Sequence, residues 1–289
     1  MMWPIVYDFG LIRIFGFEFH LAIYSYGLML VVAFYSCYAL LFKEMKRLDY
    51  DEKIASDIVT SAALGGIIGS KIYYLIENFD RVIADPYGMI FSGAGLVFLG
   101  GLMGGTIGVT IVLRKNDLPW LKFADIIAPL LIIGYSIGRI GCFLVGDDYG
   151  LPTKSVIGIS FENGAPPTTY ESLAYNYPWL NLSNWNPGEI ITVFPTQIIE
   201  TIIGFGIFFF LWNKRQAVIT KGSLFFTYLI LAGIERFFIE FIRLNPKYLW
   251  IIKDAVGFSG AQVISLIMIS IGIYMLNYLP KYSETKEAT

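Results

Sequence analysis

Long apolar runs recur along nearly the whole chain, separated by polar segments. Seven can be drawn, at 20–42, 54–77, 93–113, 123–145, 190–212, 222–242 and 255–277. About 20 residues rising 1.5 Å each is the length a helix needs to cross a hydrocarbon core roughly 30 Å thick. The pattern therefore predicts an all-α, polytopic membrane protein with seven transmembrane helices, read as a single integral domain over 1–289. Gly65, Gly66 and Gly69, and Gly100, Gly101, Gly104 and Gly105, fall inside two of the runs. Such glycines would weaken soluble helices, but in a membrane they permit close helix contact. The only long hydrophilic stretch, 146–189, holds Asp147, Asp148, Pro152, Gly164, Pro166, Pro167 and a tract rich in Tyr, Trp and Asn. It predicts irregular structure, either a long outer loop or a small head between spans four and five. Loops of this length are uncommon unless functional, so gating or acceptor binding stands against a passive cap.

Composition fits this setting. Of 289 residues, 56% are hydrophobic and only 15% charged, against about 25% charged in soluble domains. A net charge of -2 without a basic block argues against nucleic acid as a partner. Cys37 and Cys142 both lie in apolar runs and read as small buried hydrophobes rather than a disulfide. The mixed segment before the first run, with Asp8, Arg13, Glu18 and His20, does not look like a cleavable signal, so that run is expected to be retained. The polar segments after spans one, three, five and seven carry twelve Lys and Arg, and the opposite side six. The positive-inside rule then places the N-terminus outside and the C-terminus in the cytoplasm.

Arg139 and Arg236 lie deep in spans four and six. A guanidinium cannot shed its proton, so it needs an anion or a wet cavity there. At 1.5 Å per residue they stand about 24 and 21 Å from the inner ends of their spans, at nearly the same level near the outer headgroups. Arg236, Glu240 and Arg243 share one face by steps of four and three. Gln197 and Glu200 enter from span five, and Tyr24 and Tyr26 from span one. Two cations among hydrogen-bonding groups suit an anionic phospholipid headgroup. The blander reading is a network in which Glu240 and Glu200 merely neutralise the arginines.

The stretch Gly138-Arg139-Ile140-Gly141-Cys142-Phe143-Leu144-Val145-Gly146-Asp147-Asp148-Tyr149-Gly150 resembles the signature of bacterial prolipoprotein diacylglyceryl transferases. Further matches follow the family's order: Tyr26-Gly27-Leu28, then Gly95-Leu96-Val97-Phe98 with Gly100-Gly101-Leu102-Met103-Gly104, then Phe194-Pro195-Thr196-Gln197-Ile198-Ile199-Glu200, and Gly233 to Arg243. The resemblance implies a seven-helix protein of the bacterial inner membrane with a periplasmic N-terminus. It also implies transfer of the sn-1,2-diacylglyceryl group of phosphatidylglycerol to the lipobox cysteine thiol in a prolipoprotein signal peptide, releasing glycerol 1-phosphate. Arg139 and Arg236 match the family's essential arginines. No metal or cofactor is called for, and no His/Cys ligand cluster is present in the sequence. The oligomeric state stays open, a monomer included.

The departures from the family pattern bear on the base. Leu99 stands where the family places a histidine, and Cys142 and Val145 replace asparagines. The lone histidine, His20, matches no motif and reads as interfacial. Either a general base is expected at Asp148 or Glu200, with Asp148 favoured because it lies at the outer mouth, or the cationic site activates the acceptor thiol. The expected catalytic residues are Arg139, Arg236, Asp148 and Glu200. Those expected to bind substrate are Tyr26, Gly95, Gly100, Gly101, Gly150, Gln197, Glu240 and Arg243. The alternatives are a transferase with another acceptor and a non-catalytic protein that binds anionic phospholipid.

Overall fold

The computed structural model describes residues 3–14, 17–91, 97–217, 220–246, 249–252 and 256–287. In chain order its elements are strands β1 (Ile5–Ile14) and β2 (Phe17–Tyr24), then helices α1 (Ser25–Arg47), α2 (Lys53–Glu77), α3 (Phe79–Ala84), α4 (Pro86–Phe91), α5 (Phe98–Lys115), α6 (Trp120–Val145) and α7 (Tyr170–Asn176). There follow α8 (Thr196–Lys214), α9 (Ser223–Ile239), strands β3 (Leu249–Ile252) and β4 (Val256–Phe258), and α10 (Gly260–Glu287). Each predicted apolar run holds one long helix. Six of these helices, α1, α2, α5, α6, α8 and α10, are long and apolar enough to cross a membrane. The remaining one, α9, has 17 residues and is roughly 25 Å long, at the short end of the spanning range. Leu64, Ile67, Ile68 and Ile72 on α2 and Ile107 and Ile111 on α5 are exposed. An apolar surface that continuous is one that lipid covers and water would not tolerate.

Several runs begin later as helices than their hydropathy suggests. The first opens as strand, because Phe17–Tyr24 pairs antiparallel with Ile5–Ile14 before the helix starts at Ser25. The fifth opens with Ile190-Ile191-Thr192-Val193, a β-branched series that favours extended backbone. Pro195 then keeps the residue before it out of the helical region, so α8 begins at Thr196. The seventh opens with β4, paired to β3.

The chain divides into two compact units, Met1–Ala33 with Ala128–Thr289, and Phe34–Ile127. In the second unit α2 and α5 meet through a glycine seam. A Cβ added at Gly65, Gly69, Gly100 or Gly104 would strike backbone of the opposing helix. Only glycine lets the two backbones come this close. Gly104→Val is expected to force the pair apart and lower the thermal midpoint of the purified protein by several degrees. An unchanged midpoint would mean that the helices separate at no cost.

The first unit carries the hydrophilic stretch, which is a folded head. Tyr149, Phe161, Leu173, Leu182, Ile191, Val193 and Leu244 form its buried core. Tyr149 and Phe161 stack at 5.4 Å, and the Tyr149 hydroxyl donates to the Pro166 carbonyl at 2.8 Å. Isolated bridges join Pro152 and Ile159 to Val193, and Thr169 to Ile190. The expected irregular loop is therefore ordered by long-range contacts that leave no periodicity in the sequence. Phe161→Ala should cost about 3–5 kcal/mol, the usual penalty for emptying a buried aromatic position, and denaturant or thermal unfolding measures it.

Candidate functional site

Glu200 is fully buried and is the point on which three guanidiniums converge. On α6, the Nε of Arg139 lies 3.3 Å from its Oε2. From α9, the Nη1 of Arg236 lies 3.3 Å from Oε1. Just past the end of α9, the Nη1 of Arg243 donates to Oε1 at 3.1 Å. Two further carboxylates complete the cluster. Glu240 pairs with Arg236 at 2.9 Å. Asp148 bridges Arg139 at 2.7 Å and Arg243 at 2.9 Å. Helical rise puts Arg139 and Arg236 at one depth, and the structure brings both to one carboxylate.

Local geometry explains how Asp148 reaches them. Helix α6 ends at Val145, and Gly146 follows with a φ of 73°, the left-handed conformation that suits glycine after a helix terminus. The amides of Gly146 and Asp147 both donate to the Cys142 carbonyl. Asp148 is itself left-handed at φ 55°, and the chain folds back over the helix end. The Thr196 hydroxyl then donates to the Asp148 carbonyl at 2.9 Å, and the Gln197 Nε2 to the Asp147 carbonyl at 2.5 Å. Gly150 bridges to Arg243. A Cβ there would strike the Ile242 carbonyl oxygen and stand 2.8 Å from both Phe194 and Thr196, so its lack of a side chain lets the Arg243 segment lie in place.

Burial raises the Asp148 carboxyl, but Arg243 and Arg139 outweigh it and hold the group at about 2. A carboxylate held that low is a poor proton acceptor, and in this geometry Asp148 pairs with the arginines. Its neighbour differs: burial pushes the Asp147 carboxyl up, despite its hydrogen bond with Cys142. For Arg243, burial acts against the charged form, yet Asp148 and Glu200 raise its pKa overall.

Other expected residues fall as follows. Tyr26 opens α1, and its ring lies 3.1 Å from where a side chain on Gly141 would begin, beside the arginine-bearing stretch of α6. Gly95 lies outside the described residues. Gly100 and Gly101 belong to the second unit and pack on α2, against Gly69 and Tyr73 and against Ser70. Two residues went unnoticed in the sequence. The Tyr135 hydroxyl donates to Glu200 at 3.0 Å and lies 3.4 Å from Glu235, while its ring sits 5.1 Å from the Arg139 guanidinium. Tyr135 precedes Arg139 by four residues and Glu235 immediately precedes Arg236, so helical spacing was the signal that could have found the former.

Ligand atoms of Cys142, Asp147 and Asp148 lie within 4.8 Å of one another. Guanidiniums already engage both oxygens of Asp148, so a cation would meet positive charge there. Chemically, the cluster suits an anion with several oxygens. Glu200 and Glu240 are buried whereas Asp148 is 48% exposed, so Asp148 is the carboxylate that an arriving anion would displace.

Residues 13–278 match the family model described as prolipoprotein diacylglyceryl transferase. The chain is 34% identical over 260 residues to a phosphatidylglycerol--prolipoprotein diacylglyceryl transferase of Clostridium tetani, covering 90% of this chain and 94% of that protein. It is 34% identical over 280 residues to a phosphatidylglycerol--prolipoprotein diacylglyceryl transferase 2 of Clostridium perfringens, covering 94% and 98%. A relative from Chlorobaculum tepidum with the first of these names is 32% identical, covering 92% and 89%.

Proposed function

Given that this chain belongs to the prolipoprotein diacylglyceryl transferase family, we propose that it moves the diacylglyceryl group of phosphatidylglycerol onto the lipobox cysteine of a prolipoprotein. The single observation that carries the reading to the site is the convergence of Arg139, Arg236 and Arg243 on Glu200. The cysteine sulfur attacks the glyceryl carbon that bears the phosphate. The new S–C bond forms as the C–O bond breaks, and the electron pair stays on the phosphate oxygen. Glycerol 1-phosphate departs. Guanidiniums at the developing charge stabilise that departure. The thiol proton ends on the released phosphate monoester, whose second ionisation lies at about 6, or in water.

Glu200 and Glu240 hold the arginines in register, and Asp148 occupies the two outer guanidiniums until the phosphodiester arrives. Because Asp148 sits at about 2, it is a carboxylate throughout the range in which a thiol of pKa about 8.5 is activated. Asp148→Asn is accordingly expected to give a pH–rate profile parallel to wild type from roughly pH 6 to 9. A deficit confined to low pH, recovering as thiolate forms unaided, would restore Asp148 as the base. The sign for stability follows from the depressed pKa: the contribution of the Asp148 pairings is complete above the ordinary value of 3.8 and is lost as pH falls toward about 2.

The reading places the protein in the bacterial inner membrane, N-terminus periplasmic and C-terminus cytoplasmic, supported by the excess of Lys and Arg in one set of segments. The head over 146–189 then faces the periplasm, on the side where the acceptor's signal peptide is presented. The test uses purified protein in phosphatidylglycerol bilayers with a synthetic lipobox peptide. Labelled diacylglyceryl should pass to the peptide with one glycerol phosphate released per transfer. Lipid binding without glycerol phosphate would instead make this a lipid-binding protein.

A further inference from the structure

Gln197 is fully buried, yet its Oε1 has no hydrogen-bond partner among the described residues, and neither does the buried Oδ1 of Asp147. A buried unpaired acceptor is destabilising and calls for a reason. An amide flip is no remedy for Gln197. Its Nε2 donates to the Asp147 carbonyl, and exchanging the two ends would set oxygen against oxygen. The same hydrogen bond ties the two orphan acceptors to one junction. That junction adjoins the arginines, since Gln197 lies one helical turn before Glu200 and Asp147 is next to Asp148.

Phosphate oxygens are acceptors and cannot satisfy such groups. The remainder of a phosphatidylglycerol head can, because its terminal glycerol carries two hydroxyls, each a donor. We propose that Gln197, through its Oε1, together with the Oδ1 of Asp147, receives the free hydroxyls of the headgroup and so selects a polyol phosphodiester over other anionic lipids. The assignment rests on the transferase reading above and deepens it. A neutral amide oxygen suits a neutral O–H donor. Burial, which raises the Asp147 carboxyl, likewise moves that group away from demanding a cation such as an ammonium. A site built to receive a hydroxyl rejects the analogue lacking it, because its own buried groups then stay unpaired.

The experiment compares phosphatidylglycerol with phosphatidylpropanol of the same acyl chains, which has the same charge and no headgroup hydroxyls. Wild type should prefer phosphatidylglycerol in kcat/KM by about 2- to 100-fold, the range that one to two lost hydrogen bonds produce. Gln197→Met should narrow the ratio about 2- to 10-fold by slowing the glycerol lipid more than the propanol lipid. If Gln197 only holds the Asp147 carbonyl in place, both lipids slow together and the ratio stays put, which overturns the assignment. A second measurement needs no variant: glycerol 1-phosphate should inhibit wild type several-fold more strongly than propyl phosphate. Equal inhibition by the two refutes the proposal while leaving the transferase reading intact, whereas wild type that transfers from neither lipid refutes the transferase reading instead.

Discussion

Arg139→Ala and Arg236→Ala, each purified as folded protein, are expected to transfer the diacylglyceryl group about 100- to 1,000-fold more slowly than wild type. That is the loss seen when one preorganised donor to a developing oxyanion is removed. Arg139 reaches the cluster from α6 and Arg236 from α9, and both pair with the buried Glu200, so neither can take over the other's direction of approach. Arg→Lys at either position should also be impaired, because an ammonium on a flexible stem does not reproduce the guanidinium fork that engages two oxygens at once. Peptide lipidation at saturating phosphatidylglycerol measures the effect. Near-wild-type turnover by both alanine variants would remove the arginines from the mechanism.

Glu200→Ala is expected to have the largest effect on folding. It deletes the carboxylate shared by three guanidiniums and leaves Arg139, Arg236 and Arg243 facing one another with Asp148 and Glu240 between them. Breaking a buried ion pair from one side costs about 3–5 kcal/mol, and here the loss is common to three partners. The expected outcome is poor accumulation and a much lower melting temperature. Glu200→Gln keeps the shape and one acceptor oxygen, and should fold better than the alanine variant while still losing activity. A Glu200→Ala protein as heat-stable as wild type would show that the arginines find other partners.

The meeting of Arg139 and Arg236 was legible in the sequence because helical rise converts residue number into depth. Glu200 was legible as a carboxylate entering from span five, although counting from residue 190 set it deeper than the arginines because the helix starts only at Thr196. The place of Asp148 was not. It depends on two departures from right-handed backbone, Gly146 and Asp148 at positive φ on either side of Asp147, which turn the chain back onto its own helix. Only then does the carboxylate reach Arg243, a residue far along the chain, and settle between two guanidiniums. The head was hidden for a related reason: Phe161, Leu173 and Val193 find each other across long separations, with no repeat of two or 3.6 to betray it. The β-branched opening of the fifth run carried a signal that hydropathy overrode, since Ile190 to Val193 are apolar enough for a span and shaped for a strand.

The glycine seam between α2 and α5 sets a trap for any survey that replaces every residue in turn and scores survival. Gly69, Gly100 and Gly104 would rank as intolerant beside Arg139 and Arg236, because each larger substituent meets a neighbouring carbonyl or Cα. Sorting that map requires two columns, protein abundance and turnover per molecule. Seam positions should lose the first and keep the second in whatever fraction still folds, whereas the arginines should do the reverse. A motif rich in glycine thus records how near two backbones must come, and its fixity by itself is silent about chemistry.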